Sequence, residues 1–211
     1  PMQFIPQLER EGSIIKLDYY MLEEVCRFLR KWMDEGHAPI CISVNFSRKH
    51  LDEDDMVEHI VSILDEHGIA HQYIEIELTE SEDFQNYEIM TNIVNELSEA
   101  GIGTSMDDFG TGFSSLNMIK KLDLKVIKID RSFIPLETDY SGKDKDMIMF
   151  CNIVTLLREL GKKTIAEGVE TQQQLRYLEN AGCDIVQGYV FDKPLCEADF
   201  RMRLENGYGS C

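Results

Sequence analysis

The stretch Gly101-Ile-Gly-Thr-Ser-Met-Asp107-Asp108-Phe-Gly-Thr-Gly112 places two adjacent carboxylates between an apolar strand and a glycine-rich turn. Two like charges at the end of a buried strand cost free energy unless a cation lies beside them. A divalent metal ion is a natural partner, because hard cations prefer oxygen ligands. The stretch therefore predicts a strand of a buried sheet whose C-terminal end forms a functional site.

Strand-like and helix-like patterns alternate along the rest of the chain. The strand-like runs cover 40–44, 73–78, 102–106, 126–129, 163–166 and 185–190. The helical patterns cover 17–34, 55–67, 87–100, 114–121, 145–160, 171–181 and 197–204. This alternation predicts an α/β fold with a parallel sheet and helices on the outside.

Two architectures fit six such strands: an open doubly wound sheet, and a (β/α)8 barrel of which two strands are absent. Polar side chains follow almost every strand: Asn45, Glu77 with Glu80, Asp107 with Asp108, Lys128 with Asp130, Glu167 with Glu170, and Gln187. A barrel brings all its strand ends to one central site, whereas an open sheet brings together only those near its switch point. Contributions from all six strands favour the barrel.

Length and charge narrow the possible functions. The chain has 211 residues, enough for one large domain, and a net charge of −18 from 21 basic and 39 acidic residues. This charge disfavours nonspecific binding to DNA, RNA or an anionic membrane surface. No apolar run reaches the length of a membrane span. The six cysteines contain no C-x-x-C pair, which fits a reduced cytoplasmic compartment.

The candidate metal ligands share one chemistry. Asn45, Glu77, Asp107 and Asp108 offer only oxygen atoms, which suits Mg²⁺ or Mn²⁺. Adjacent aspartates would allow one carboxylate to bridge two ions, and two ions about 3.5–4 Å apart suit in-line attack of water on a phosphodiester. Glu167, from another strand end, could complete the second metal or take a proton from the water.

Lys128 is flanked by Ile127 and Ile129, so we expect its ammonium group to be desolvated. There it could orient the attacking water or neutralise charge that develops on phosphorus. The simpler interpretation is a structural ion pair with Asp107 or Glu167. Glu170 has a similar alternative, because the helix that follows it would favour an acid near its N-terminus.

Seven motifs resemble those of the EAL-domain family of cyclic di-GMP phosphodiesterases, in order and nearly end to end. They are Phe4-Ile-Pro6 with Glu9 and Gly12, Val44-Asn-Phe-Ser47, Glu77-Leu-Thr-Glu80, Asp107-Asp-Phe-Gly-Thr-Gly-Phe-Ser-Ser-Leu116, Lys128-Ile-Asp-Arg-Ser-Phe133, Ala166-Glu-Gly-Val-Glu170 and Gln187-Gly-Tyr-Val-Phe-Asp-Lys-Pro194. The resemblance implies a modified TIM-type (β/α)8 barrel. It also implies hydrolysis of cyclic di-GMP to linear pGpG with two Mg²⁺ or Mn²⁺ ions in bacterial second-messenger signalling.

The resemblance also implies a role for each matching residue. Asn45, Glu77, Asp107 and Asp108 correspond to metal ligands, Lys128 to the lysine that contacts the catalytic water, and Glu167 to the glutamate of the second metal. Gln187 corresponds to a glutamine at the rim of the site, Glu170 and Asp130 to supporting or substrate-binding acids, and Glu80 to the anchor of the following loop. That loop, with Phe109, Gly110, Thr111, Gly112 and Phe113, corresponds to the link between active site and dimer interface.

The chain also departs from the family pattern. The Glu-Ala-Leu tripeptide that names the family is absent, and it belongs to a strand that would precede Phe4. We therefore expect residues 1–211 to form a single EAL-like domain without its first two strands. The family further implies a homodimer, and a sensor or GGDEF domain upstream in the parent protein. Phe113 and Asp192 replace a more common tyrosine and serine.

Three functions remain open from the sequence. The first is a metal-dependent cyclic di-GMP phosphodiesterase, since every downstream acid is present. The second is a catalytically inactive cyclic di-GMP receptor or protein-interaction domain, since the glutamate of the missing tripeptide is itself a metal ligand in the family. The third is a different barrel hydrolase or lyase that uses a lysine and two metals.

Overall fold

The computed structural model describes residues 4–79, 87–109, 119, 122–134 and 145–207, with the backbone alone at 79, 87 and 108. The strands are β1 (Ile42–Phe46), β2 (Ile74–Thr79), β3 (Gly103–Phe109), β4 (Val126–Ile129), β5 (Lys163–Ala166) and β6 (Ile185–Val186). The α-helices in the described ranges are α1 (Ile5–Glu11), α2 (Ile14–Asp34), α3 (Met56–Glu66), α4 (Tyr87–Glu99), α5 (Lys145–Glu159), α6 (Gln172–Asn180) and α7 (Glu197–Asn206). Short 3-10 helices cover Arg48–Asp52, His71–Tyr73 and Arg131–Phe133.

The six strands form one parallel sheet in the order β1-β2-β3-β4-β5-β6. A doubly wound sheet reverses its strand order at a switch point, and this sheet has no reversal among the described strands. Sequential parallel order is the arrangement of a barrel wall. The prediction of a TIM-type barrel, of which the described residues supply six strands, is therefore confirmed.

The hydrophobic core lies between the sheet and the helices that cover its outer face. Alternation along β2 places Ile74, Ile76 and Leu78 on that face, where all three are buried. Each strand's outward residues meet apolar helix positions, and the fully buried members include Leu22, Ile60, Leu64, Val94, Leu97, Phe150, Val154 and Leu157. This packing leaves the other face of each strand for polar side chains.

Helix α2 shows how the pattern of apolar residues sets this packing. Ile14, Leu22, Cys26 and Leu29 recur at helical spacing and are all buried. Asp18 occupies the same stripe and is 7% exposed, so a carboxylate lies where the pattern would place an apolar residue. In the described part of the chain, no helix is both long and apolar enough to cross a lipid bilayer.

Several predicted boundaries differ from the structure at the ends that carry polar residues. The prediction ended β1 at residue 44 and β3 at residue 106, but these strands continue to Phe46 and Phe109. Predicted strand 185–190 is too long, because regular strand β6 ends at Val186. Helix α1 was not predicted. Strands β4 and β5 have the predicted bounds, and predicted helix 114–121 lies outside the described residues except for Ile119.

Candidate active site at the carboxyl ends of the strands

One lysine and three carboxylates from four strands meet at the C-terminal edge of the sheet. The Nζ atom of Lys128 lies 2.7 Å from Oε2 of Glu77, 2.6 Å from Oε1 of Glu167 and 3.6 Å from Oδ1 of Asp107. Lys128 is 4% exposed and Glu77 is 5% exposed, so the centre of the cluster is shielded from water. Sequence analysis predicted all four as site residues, and the structure brings them together.

Strand alternation explains why Lys128 reaches this cluster. Strand β4 reads Val-Ile-Lys-Ile and is buried along its whole length. Ile127 and Ile129 are fully buried in the core that faces the helices, so Lys128 between them is directed to the opposite face. Glu77 on β2 is directed the same way, because Ile76 and Leu78 belong to the core.

The charge balance of the cluster sets the protonation of its members. Burial alone would lower the pKa of Lys128, but its hydrogen bonds to Glu167 and Glu77 outweigh this and hold the pKa above its ordinary value. Burial raises the pKa of Glu167, and the charges of Asp107 and Glu77 add to this increase while Lys128 opposes it. Three carboxylates thus share one ammonium group, and the excess negative charge penalises ionisation of Glu167.

The two adjacent aspartates, Asp107 and Asp108, lie in a β-bulge of β3. Met106 pairs with Ile127 and Phe109 pairs with Ile129, so three steps along β3 match two steps along β4. Regular alternation over these four residues would direct Phe109 to the same face as Asp107. The bulge prevents this, so Phe109 is buried in the core while Asp107 contacts Lys128.

The remaining candidates surround this cluster at greater exposure. Asn45 is exposed and lies on β1 in register with Glu77, inside the strand rather than after it as predicted. Gln187 is exposed, and its backbone bonds to Ala166 and Val169 continue the pairing beyond β6. The structure shows no contact of the Asn45 or Gln187 side chain with the Lys128 cluster.

Asp130 and Glu170 have local structural roles in the described geometry. Oδ1 of Asp130 accepts a hydrogen bond from the Ser132 amide at 2.9 Å and begins the 3-10 helix Arg131–Phe133. Glu170 is exposed and precedes the capping box of α6, in which Thr171 and Gln174 satisfy each other's backbone amides. The side chain of Asp108 and the whole of Glu80, Gly110, Thr111, Gly112 and Phe113 lie outside the described residues.

The family model described as the EAL domain matches residues 1–194. The chain belongs to the EAL-domain family. It is 36% identical over 195 residues to the bifunctional diguanylate cyclase/cyclic di-GMP phosphodiesterase MucR of Pseudomonas aeruginosa, and 37% identical over 195 residues to the cyclic di-GMP phosphodiesterase NbdA of the same species. Both alignments cover 92% of this EAL domain but only 28% and 24% of those proteins, so the chain spans about a quarter of each relative.

Solved EAL-domain structures have the same fold. The PaMucR phosphodiesterase in complex with c-di-GMP superposes with a TM-score of 0.84 at 34% identity, over 95% of this chain and 86% of that one. The EAL domain of Mycobacterium smegmatis DcpA gives a TM-score of 0.83 at 29% identity, over 92% and 86% of the two chains. The barrel assignment therefore agrees with experimental structures of the family.

The donor set of the EAL domain fits divalent cations by its chemistry. All of its candidate ligands present oxygen, and three carboxylates around one ammonium leave an excess of negative charge that a cation would neutralise. Within the described residues, no group of three or more His, Cys, Asp or Glu side chains stands in a metal-binding arrangement. Lys128 instead occupies the position between the carboxylates.

Sequence reasoning missed a second buried polar cluster beside β1, formed by Asp18, His50 and Glu53. Nε2 of His50 lies 3.1 Å from Oδ2 of Asp18, and Nδ1 lies 2.6 Å from Oε2 of Glu53. His50 is 1% exposed. The signal in the sequence was Asp18 itself, because it interrupts the apolar stripe of α2 four residues after Ile14 and four before Leu22.

Proposed function

We propose that this EAL domain catalyses metal-dependent hydrolysis of cyclic di-GMP to linear pGpG in bacterial second-messenger signalling. The observation that supports this most is the convergence of Glu77, Asp107, Lys128 and Glu167 at the strand ends. Barrel enzymes place their catalytic groups at this edge. The relatives named as cyclic di-GMP phosphodiesterases belong to the same family.

Asn45, Glu77, Asp107, Asp108 and Glu167 would hold two Mg²⁺ or Mn²⁺ ions. When bound, such ions lower the pKa of water and stabilise the charge on a phosphodiester. Their charge would also offset the excess of carboxylates in the cluster.

Glu167 would accept the proton of the attacking water, and Lys128 would stabilise the negative charge on the phosphate. Attack of a water oxygen on phosphorus forms one P–O bond and breaks one P–O bond of the ring, and the leaving ribose oxygen takes a proton from solvent to become a hydroxyl of the linear dinucleotide. Glu167 would accept the proton of that water, and its raised pKa suits a general base. Lys128 stays protonated, and its ammonium group would orient the water and stabilise the negative charge on the phosphate oxygens. Gln187, Glu170, Asp130 and Glu80 would bind the substrate or support these groups.

The proposal extends to the protein that carries this domain. Residues 1–211 would act as a single EAL domain in the cytoplasm, within a homodimer, and with a sensor or GGDEF domain upstream. The loop Phe109, Gly110, Thr111, Gly112 and Phe113 would link the active site to the dimer interface. The multidomain length of the relatives supports the fused arrangement.

The second candidate function is a cyclic di-GMP receptor that binds without cutting. One observation favours it: Glu77 and Glu167 are both engaged with Lys128, whose ammonium group lies between them. A receptor would retain nucleotide binding and would not depend on Glu167 as a base.

One experiment separates the two candidates. Hydrolysis of cyclic di-GMP with Mn²⁺ and binding of cyclic di-GMP with Ca²⁺ are measured for the wild type, for Glu167→Gln and for Glu179→Gln, an exposed control on α6. The phosphodiesterase predicts that Glu167→Gln slows hydrolysis by about 10²–10⁴-fold and retains binding. Binding without hydrolysis in the wild type supports the receptor, and neither binding nor hydrolysis overturns both candidates.

A further inference from the structure

The buried cluster of Asp18, His50 and Glu53 has a charge arrangement that neither the fold nor the proposed reaction explains. A carboxylate accepts hydrogen bonds and donates none when it is ionised. Each ring nitrogen of His50 faces a carboxyl oxygen, so the imidazole links two acids in a buried network. Such a network is costly to build and even more costly to break, since removal of one partner leaves a buried charge unpaired.

Aromatic rings enclose this histidine. The Tyr19 ring packs edge-on against His50 with centroids 4.9 Å apart, and Phe46 lies 4.7 Å away. The Tyr19 hydroxyl donates to Oε2 of Glu53 at 3.1 Å. Burial, followed by the charge of Glu53, raises the pKa of Tyr19, so this hydroxyl stays protonated and remains a donor. The network is therefore fixed on every side in one geometry.

The network is connected to the backbone that follows Asn45. Oδ2 of Asp18 accepts from the Ser47 amide at 2.9 Å and from Nε2 of His50 at 3.1 Å. The His50 amide in turn donates to the Ser47 carbonyl at 3.0 Å. Ser47 thus has both backbone groups held by the network, two residues after Asn45.

Asn45 depends on this attachment because it lies near the end of its strand. Strand β1 ends at Phe46, and its ladder to β2 ends with the pair Phe46 and Leu78. Asn45 itself is in register with Glu77, which contacts Lys128. Beyond that ladder, the bonds at Ser47 hold the chain.

We propose that Asp18 and His50 are positioning residues that fix the end of β1 and thereby the side chain of Asn45 for metal binding. This inference rests on the proposed function, in which Asn45 is a ligand. Groups that orient metal ligands in this way typically change metal affinity by about 10–100-fold when replaced. Glu53 and Tyr19 hold His50 from the side away from Asp18.

The test uses two variants of the network and one matched control. His50→Gln keeps a polar group for Asp18 but loses the ring nitrogen that bonds Glu53, and Asp18→Asn keeps the volume and an acceptor for the Ser47 amide. The control is His71→Gln, since His71 also has both ring nitrogens bonded, to the Ala100 carbonyl at 2.7 Å and to Asp65 at 3.1 Å. His71 directly precedes the N-terminal end of β2, whereas Asn45 lies near the C-terminal end of the neighbouring strand β1.

Two readouts are taken. The first, in metal-free protein, is the NMR signal of the Asn45 side-chain amide with hydrogen exchange of the Ser47 amide. The second is Mn²⁺ affinity by calorimetry. We expect both network variants to shift the Asn45 signal, to accelerate Ser47 exchange by on the order of tenfold or more, and to weaken Mn²⁺ binding about 10–100-fold. His71→Gln should change none of these.

Two results would overturn the positioning role of Asp18 and His50. An unchanged Asn45 signal in both variants overturns it, and so does unchanged Mn²⁺ affinity when the Asn45 signal moves. If His50→Gln does not fold, Asp18→Asn gives the answer alone. If the wild type binds no Mn²⁺ and does not hydrolyse cyclic di-GMP, the proposed function fails, while the Asn45 signal still shows whether the network positions that side chain.

A double variant separates positioning from general stability. Asn45→Ala removes the ligand, so His50→Gln added to it should cause no further loss of Mn²⁺ affinity if His50 acts through Asn45. The thermal destabilisation by His50→Gln should be the same in both backgrounds. Additive losses of Mn²⁺ affinity would contradict the inference.

Discussion

Replacement of Lys128 by methionine tests how strongly the site depends on its single buried ammonium group. The change leaves Glu77, Asp107 and Glu167 facing one another without a cation. Removal of one member of a buried ion network costs about 3–5 kcal/mol. In a domain of this size each kcal/mol lowers Tm by about 2–4 °C, so we expect a decrease of about 6–20 °C in metal-free buffer.

The penalty should depend on pH and on divalent cations. As pH falls, protonation of Glu167, whose pKa is raised by burial, relieves part of the repulsion, so the difference in stability between Lys128→Met and wild type should shrink. Mn²⁺ should raise the Tm of the variant more than that of the wild type, because the variant has one positive charge fewer. Hydrolysis of cyclic di-GMP should fall by about 10²–10³-fold.

Calorimetry and urea unfolding at pH 8 and pH 5 measure these effects. The matched control is Lys16→Met, because Lys16 is exposed on α2 and its loss should change the free energy of unfolding by less than about 1 kcal/mol. A Lys128→Met protein as stable as the wild type at pH 8 would refute the reasoning, since the three carboxylates would then need no counter-charge.

Three further predictions concern the scaffold. The hydrogen bond to the Ala100 carbonyl raises the pKa of His71. The stabilisation by the charged form is therefore complete below the unfolded-state pKa and is lost as pH rises through the folded-state pKa. In urea titrations, His71→Gln should lower the free energy of unfolding more at pH 5 than at pH 8. In Gly188→Ala the new Cβ would lie 2.2 Å from the Val169 carbonyl oxygen, and thermal unfolding should show a loss of about 1–3 kcal/mol or more. Thr171→Ala removes the capping box of α6 and should lower the free energy of unfolding by about 1 kcal/mol in the same measurement. An unchanged free energy of unfolding would mean that water satisfies the Gln174 amide equally well.

The sequence was sufficient for the sheet and for the composition of the central cluster. Buried strands such as β4 and β5 are apolar on the face that meets the helices, and their bounds were predicted correctly. The prediction ended β1 and β3 too early because their last residues are polar. A barrel strand near its C-terminal end presents site residues, so strand geometry continues beyond the point where the apolar pattern stops.

The second buried cluster was beyond sequence reasoning for a different reason. Asp18 and His50 are 32 residues apart, and His50 follows Arg48 and Lys49, which resemble a solvated surface. Only the fold brings α2 against the end of β1. For Lys128 the sequence left two alternatives, a structural ion pair or a catalytic group. The geometry shows the ion pair, and the catalytic role stays a prediction.

The β-bulge between Met106 and Phe109 constrains how this sequence can change in length. Loss of one residue there would remove the bulge, and regular alternation would then keep Met106 and Phe109 on the core face, opposite Ile127 and Ile129. Such a deletion would alter the paired aspartates and spare the packing of the barrel wall, whereas a one-residue deletion in the regular part of β3 would reverse the faces of the side chains on one side of it. Changes in length between Met106 and Phe109 should therefore cost less folding stability than changes elsewhere in β3, and their main effect should fall on the chemistry of the site.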